Sequence, residues 1–454
     1  MSSAETPARA GVHRLFWRVH FWAGLITAPL VLFAALTGLL YVFTPQIEAR
    51  VHADVDRVPA TTVVQTLDAQ LAAATAALPG GSARSIVPAA TPGETTQVLF
   101  ARQMPTVGAH AGHPAEGQHS PGLPEGRIVY VNPASAQVVG QLAEIDRFRN
   151  WARKLHSSFL QGDGWRWPLE LAASWMLLMF ATGITMWWPR PAAQGGPGWR
   201  ALLPRIDRGR ATWRDLHTSV GVVMSALLIV VLVTGLTWSR HAGDNFRAAQ
   251  QALGQSSPKP PAELRSSASA GASRASAQRV FEVACAECDQ AGISAPLQLT
   301  LPKGPQGTWR ADTLARDDPT QRLSLAIDAG NGQVLYRSGW RELPLLSKAT
   351  AVGIPFHRAE FGVWNQVLIA AAALAAIFAV VSGFVMWWKR RPARRMGAPA
   401  LGARQLRAVP FWLWPLTAAL ALLMPVFGIS LAVFIAVELM ALVWHRRFSH
   451  SSVA

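Results

Sequence analysis

Four histidines stand where an ionisable side chain is costly. His20, His156, His217 and His357 lie within or just before long apolar runs. His217 ends the stretch Trp213-Arg-Asp-Leu-His217 and opens a run from Thr218 to Trp238 that carries no charge. An ionisable group at membrane depth marks function by default, although one histidine at a span end is ordinarily an interfacial side chain. These four fall into two pairs. His20 and His217 are each followed, eighteen positions on, by the glycine of a Thr-Gly dipeptide, Thr37-Gly38 and Thr234-Gly235. His156 and His357 each precede an apolar run. Two imidazoles facing each other across a helical bundle can supply both axial ligands of a haem iron. Covalent attachment needs Cys-x-x-Cys-His, and Cys285-Ala-Glu-Cys288 is followed by Asp289, so any haem here is b-type. Gly24, Gly38, Gly221, Gly235 and Gly383 leave room for a flat macrocycle or for close helix packing.

The pairing follows from a repeat. Thr182-Gly183-Ile-Thr-Met-Trp187-Trp188-Pro-Arg190 matches Ser382-Gly383-Phe-Val-Met-Trp387-Trp388-Lys-Arg390 about 200 residues later. His20 and His217, His156 and His357, and the segments around Asn132 and Asp328 repeat at nearly the same offset. The chain reads as an internal parallel duplication with its pseudo-twofold axis along the membrane normal. That symmetry puts His20 and His217 near the cytoplasmic face, and His156 and His357 near the outer face. His13, His241 and His445 have no repeat mates and are weaker ligand candidates.

The elements that position these residues make a membrane all-α bundle with two extramembrane α+β modules. After a tail at 1–12 come TM1 at 13–44, a first outer module at 45–150, and TM2 with its preceding histidine segment at 151–190. A basic loop at 191–212 leads to TM3 at 213–239, a second outer module at 240–350, TM4 at 351–390 and a second basic loop at 391–408. An uncharged run from Val409 to Val437 is interrupted by Pro415, Pro425 and Gly428, so 409–445 is expected to be a hairpin, TM5–TM6. In the first module, Thr62–Leu78 has helical spacing, and Gln97–Arg102, Arg127–Val131 and Gln137–Leu142 read as strands. The second module has a helical pattern at Val280, Ala284 and Cys288, with strands at Leu297–Leu301 and Leu323–Ile327.

Half of the residues are hydrophobic and the net charge is +16. The charge is crowded into Arg190–Arg214 and Lys389–Arg407, beside apolar spans, which is the positive-inside pattern of cytoplasmic loops and not a nucleic-acid surface. Many of the 19 tryptophans sit at span ends as an interfacial belt. His110, His113 and His119 lie in a Gly- and Pro-rich loop, where solvated side chains explain them as well as a metal does. Cys285 and Cys288 sit one helical turn apart, a tight geometry for a reversible disulfide. Glu438 is the one acid deep in an apolar run, so the paired acids of a proton-coupled transporter are missing.

With these residues in place, the chain resembles the PepSY-associated transmembrane family of bacterial inner membranes, over nearly all of residues 13–445. The likeness rests on Leu155-His156 and Leu216-His217, on the Ser/Thr-Gly-x-x-x-Trp-Trp span ends, and on the strand pairs around Asn132 and Asp328, which resemble the PepSY module. The first module departs from the pattern, with Asn132-Pro-Ala-Ser-Ala136 where a glycine is usual. Characterised relatives are ferric-siderophore reductases that carry haem. The resemblance therefore implies a multi-pass inner-membrane protein with a cytoplasmic N-terminus and two haem b groups, whose irons are ligated by His20 with His217 and by His156 with His357. It implies an electron entering at the cytoplasmic pair, passing to the outer pair and leaving to a periplasmic ferric siderophore or other ferric chelate. Reduction to Fe(II) weakens binding by hard oxygen ligands, and no acid–base catalytic residue is required. No Gly-rich dinucleotide motif lies between the spans, so the electron donor is a cytoplasmic protein or a membrane quinol. The competing expectation is a non-enzymatic, membrane-anchored PepSY protein that binds peptides or regulates a peptidase.

Overall fold

The computed structural model describes residues 7–101, 125–187, 202–206, 210–268, 274–391, 411 and 413–449. Helix α1 (Pro7–Val42) leads into two short helices, α2 (Thr44–Val51) and α3 (Ala53–Asp56). An extended stretch follows and ends at Thr66, whose side chain accepts from the Ala69 amide and starts α4 (Leu67–Ala77). That cap makes the helix begin later than the apolar spacing from Thr62 predicts. Strands β1 (Ala83–Val87), β2 (Thr96–Phe100), β3 (Arg127–Val131) and β4 (Val138–Ala143) come next, then α5 (Phe148–Ser158) and α6 (Trp167–Trp187). The chain continues with α7 (Arg210–Leu236), α8 (His241–Ala252), α9 (Ala277–Ala291), and strands β5 (Leu297–Thr300), β6 (Trp309–Thr313), β7 (Leu323–Ile327) and β8 (Val334–Gly339). It ends with α10 (Leu345–His357), α11 (Val363–Arg390), α12 (Leu413–Leu423) and α13 (Pro425–Ser449).

Among the described residues, four helices are long and apolar enough to cross a membrane: Gly11–Val42, Asp163–Trp187, Ala211–Leu236 and Val363–Arg390. Helix α1 packs on α6 and α11, and α7 packs on the same two, so the four form a ring with α1 diagonal to α7. Its centre is built from small and branched residues, including Val31, Ala35, Ala172, Leu228, Ala372 and Ala376, which let the backbones approach. The sheet joins the bundle at the end where α1 stops and α6 begins. In sequence His20 lies far from that end, whereas His156 and His357 lie on α5 and α10, next to it.

The segments 45–150 and 240–350 between the spans are joined. They share one eight-stranded antiparallel sheet with strand order β4-β3-β2-β1-β5-β6-β7-β8. The two four-stranded parts meet where β1 pairs with β5, Ser85 opposite Thr300 and Ile86 opposite Leu299. Each part alone would expose an edge of unpaired backbone groups, and this pairing removes both inner edges. Helices α4 and α9 cover one face, with Leu67, Ala74, Val280 and Ala284 packed on Val98, Leu299 and Leu325. On the other face, Ile128 and Tyr130 pack with Val55. The apolar pattern does not announce β1 and β6, which carry Arg84, Ser85, Arg310 and Asp312.

The C-terminal run breaks at Met424 into α12 and α13. The fold at the break is tight, since a Cβ on Gly428 would lie 2.7 Å from the Ala421 carbonyl oxygen. Helix α12 has only 11 residues, about 16 Å of helix against a hydrocarbon core of about 30 Å. Among the described residues, Leu413–Leu423 and Pro425–Ala441 are apolar helices shorter than the four spans. Helix α13 docks on the bundle through Glu438, which pairs with Arg18 at 2.7 Å, and through Ser430, whose hydroxyl oxygen accepts from Trp175 Nε1 at 2.8 Å.

Candidate functional site

Each of the four histidines is cradled by a Ser/Thr-Gly dipeptide on the neighbouring helix. His20 on α1 turns its Nδ1 to the Thr182 hydroxyl and the Met179 carbonyl, both at 3.1 Å. His217 on α7 turns its Nδ1 to the Ser382 hydroxyl at 2.8 Å and to the Ala379 carbonyl. His156 on α5 does the same with Thr37 at 2.9 Å and the Ala34 carbonyl. His357 on α10 meets the Val231 carbonyl at 2.8 Å and the Thr234 hydroxyl at 3.4 Å. In every case the carbonyl lies three residues before the hydroxyl. The exchange is reciprocal within each half: α1 and α6 serve His20 and His156, while α7 and α11 serve His217 and His357.

This arrangement fixes the tautomer. Each of the four hydroxyls donates its own proton to the carbonyl four residues back: Thr37 to Phe33, Thr182 to Leu178, Thr234 to Val230 and Ser382 to Phe378, at 2.6–2.9 Å. The hydroxyl oxygen is then an acceptor toward the ring, and a carbonyl can only accept. Nδ1 must carry the proton, which leaves Nε2 with its lone pair. A ring nitrogen held by carbonyl and hydroxyl is the outer-shell arrangement that orients a metal-ligating histidine.

The glycines explain why the rings fit. A Cβ at Gly183 would lie 3.2 Å from Cε1 of His20, and one at Gly235 would lie 2.9 Å from Cε1 of His357. At Gly38 and Gly383 the corresponding distances, to His156 and His217, are 3.5 and 3.7 Å. These glycines make room for imidazoles. The other two serve differently: Gly24 faces Met179 Sδ at 3.5 Å, and Gly221 has no neighbour within 4 Å.

The two pairs are built at different depths. The rings of His20 and His217 face each other across the bundle diagonal, with centroids 6.4 Å apart and planes at 84°. Half of that distance is close to a metal–imidazole bond of about 2 Å plus the reach from ring nitrogen to ring centre. His156 and His357 both line a cavity of about 690 Å³, a size typical of small-molecule sites. Its inner wall includes Ala35, Gly38, Ala172, Gly235, Ala373 and Ala376. Charged groups join it toward the sheet, among them Arg84, Arg153, Lys154, Asp163 and Arg358. A planar, largely apolar group with anionic substituents fits such a lining.

Several residues that sequence reasoning passed over help to hold this end together. The Tyr41 hydroxyl accepts from Nε of Arg149 at 3.2 Å and from Nε of Arg358 at 3.3 Å. Glu360 pairs with Arg149 and, at 2.7 Å, with Arg358. Glu170, 2 % exposed inside α6, accepts from the Ala242 amide at 2.8 Å and from the His241 amide and ring, which gives His241 a structural role at the start of α8. The four Ser/Thr-Gly dipeptides were visible as motifs, but no local signal says which histidine each receives.

Other candidates are not drawn into this site. His13 is exposed, and His110, His113 and His119 lie outside the described residues. Cys285 and Cys288 are free thiols. Burial, with Cys285 and Asp289 beside it, pushes Cys288 up to about 11, and burial raises Cys285 too, so neither is a poised thiolate. A second cleft, of about 540 Å³, lies between the stretch from Val58 to Gln70, the β1–β2 turn, and Gln278 and Phe281 of α9. It is lined without any ionisable side chain.

The model of one family, described as the PepSY-associated TM region, matches residues 17–390. No curated protein matches.

Proposed function

The chain belongs to the PepSY-associated TM region family and is a multi-pass membrane protein, and from that premise we propose that it is a b-type di-haem electron-transfer protein. His20 and His217 would hold one haem, and His156 and His357 the other. The observation that carries the reading is the fourfold cradle, which presents four Nε2 lone pairs, two by two, from one repeated arrangement. Haem bound at such a pair supplies one-electron chemistry at its iron. The protein's own work is to keep each Nδ1 protonated, to aim each Nε2, and to exclude water with small apolar side chains. We read the fourfold pattern, together with the mirror-symmetric strand order, as an internal duplication of a span–module–span unit whose modules are PepSY-like.

We assign the basic segments around 188–209 and 389–407 to the cytoplasm of a bacterial inner membrane, and the sheet to the periplasm, by the positive-inside rule. The N-terminus is then cytoplasmic. The proposed substrate is ferric iron, free or as a ferric siderophore, met on the sheet side where the 690 Å³ cavity reaches charged residues. The donor acts at the opposite end, as a cytoplasmic protein or a quinol.

The test is an absorption spectrum with a pyridine haemochrome assay on protein from haem-replete cells. Two haems per chain are expected, with one lost in His217→Ala and the other in His357→Ala. A missing Soret band would sink the reading. A second reading, peptide binding by an anchored sheet, is favoured by the uncharged 540 Å³ cleft and by the buried Gln70 Oε1 there, which has no hydrogen-bond partner among the described residues. Haem-free protein that retains peptides in that cleft would favour it.

A further inference from the structure

The outer cavity is charged unevenly. Three residues before His156, α5 presents Arg153 to it; three residues before His357, α10 presents Ile354. Most of the other charged groups around the cavity have partners, and Arg84 is exposed at its edge. Lys154 pairs with Asp163 at 3.2 Å, Arg358 with Glu360 at 2.7 Å, and Arg166 donates to the Trp238 carbonyl. Glu170 is held by the amides of His241 and Ala242. Arg153 differs. It donates to the neutral Asn150 Oδ1 at 3.3 Å, and its Nε is buried with no hydrogen-bond partner among the described residues.

Glu144, on the same cavity, acts on Arg153 through space without a hydrogen bond among the described residues, so a half-buried guanidinium keeps an unused N–H that an anionic oxygen within the cavity would satisfy. A planar carboxylate suits the guanidinium fork better than a point charge would. We propose that Arg153 is the positioning residue for a carboxylate of the group seated between His156 and His357, and that it sets which way round that group lies. This rests on the haem reading, under which the carboxylate is a haem propionate. Arg153 points that edge of the macrocycle toward α5, while Ile354 offers the opposite wall nothing to hold it. The carboxylate of an anionic ferric chelate has the same chemistry, so the test separates the two sources.

Full-length protein carrying Arg153→Gln or Arg153→Lys is purified, its haem content measured, and both haems titrated spectroelectrochemically. The same change in a His217→Ala background isolates the outer haem. A nearby cation favours the reduced, less positive iron. Arg153→Gln is expected to move the outer haem toward the oxidised form by about tenfold, or 59 mV for one electron. Arg153→Lys should restore most of that shift, and the inner haem should not move. Unchanged potential and content at the outer haem in Arg153→Gln would overturn the assignment while leaving the haem reading intact. An unchanged potential with tenfold weaker binding of ferric citrate would give the carboxylate to the substrate and overturn it as well. If Arg153→Gln does not fold, a normal outer potential in Arg153→Lys supports the assignment, and a shift as large as tenfold opposes it. Wild-type protein without haem would remove the underlying reading itself.

Discussion

Gly38 and Gly235 do the same job in the two halves of the molecule, but not at the same distance. A Cβ on Gly38 would make ordinary contact with His156 at 3.5 Å, whereas one on Gly235 would come within 2.9 Å of His357. The hydrogen bonds differ in the same sense. His156 rests on the Thr37 hydroxyl at 2.9 Å, whereas His357 rests on the Val231 carbonyl at 2.8 Å and keeps Thr234 at 3.4 Å. In the first half a hydroxyl fixes the ring. In the second half the Val231 carbonyl is the close partner, and the imidazole lies nearer the glycine. One design thus reaches one tautomer by two balances of forces.

The sharpest way to break this contrast is to add the missing methyl groups. Gly235→Ala must push His357 aside or shift α7, so under the proposed di-haem reading it should weaken retention of a haem at that pair by the 10–100-fold typical of losses around a metal ligand. Gly38→Ala should be tolerated within a few-fold. Haem content after extensive washing, and the outer haem's spectrum, would report both. Equal losses would mean that the two cradles are equivalent after all. Among the inner pair, Gly183 at 3.2 Å should prove more sensitive than Gly383 at 3.7 Å.

How much of this was legible depends on the range over which a signal acts. The spans are written in uninterrupted apolar runs such as Thr218–Trp238, and His217 announces itself by being costly there. The geometry adds that His20 and His217 face each other, but which hydroxyl receives which ring is a property of helix packing. Thr182 serves His20 across more than a hundred and fifty residues, and nothing local encodes that. The joining of β1 to β5 was hidden for a similar reason, since backbone pairing between distant edges asks little of the side chains. Glu170 was overlooked because it lies early in an apolar segment and its partners, the amides of α8, come some seventy residues later. The shortness of α12 turns on a tight fold at Gly428 that composition does not show.

The sheet offers a second contrast, of smaller effect. Asn132 and Asp328 open equivalent turns, and each donates its own N–H to the carbonyl five residues on, that of Gln137 or Gln333, at 2.8 Å. The Asn132 side chain accepts the Ala134 amide at 2.9 Å. The Asp328 carboxylate accepts the Ser267 and Gly330 amides at 2.8 and 2.6 Å and the Ser266 and Ser267 hydroxyls at 3.0 and 2.9 Å. Burial alone would raise the Asp328 pKa, but these bonds outweigh it and hold the group at about 2. Because the folded value lies below the unfolded one, the resulting stability is present above the usual carboxylate range and is lost as pH falls toward 2. It amounts to something on the order of 2 kcal/mol. Hydrogen exchange at pH 5 and pH 2.5 should show the β5–β8 half loosening more than the β1–β4 half. Asp328→Asn should flatten that difference, and a difference that survives the substitution would assign it to another group.

The smallest effect sits in the same turns and isolates the backbone. Ala136 and Gly332 both donate their amides to the carbonyl that opens the turn, Asn132 at 2.9 Å and Asp328 at 3.0 Å, and both have positive φ, 53° and 75°. Glycine adopts that conformation freely, whereas an L side chain there costs roughly 1–2 kcal/mol. Part of this is offset, since alanine restricts the unfolded chain by about 0.4–1 kcal/mol relative to glycine. Ala136→Gly should therefore stabilise the first half by about 0.5 kcal/mol, and Gly332→Ala should destabilise the second by a similar amount. Steric conflict does not intrude on the second substitution, because a Cβ at Gly332 meets nothing closer than Arg279 Cγ at 3.6 Å. The turns are far enough apart in the sheet order to contribute additively, so the double substitution should return the unfolding free energy to within about 0.5 kcal/mol of the starting protein. A double variant that falls well below both single ones would show that the two turns are energetically coupled through the sheet and cannot be weighed separately.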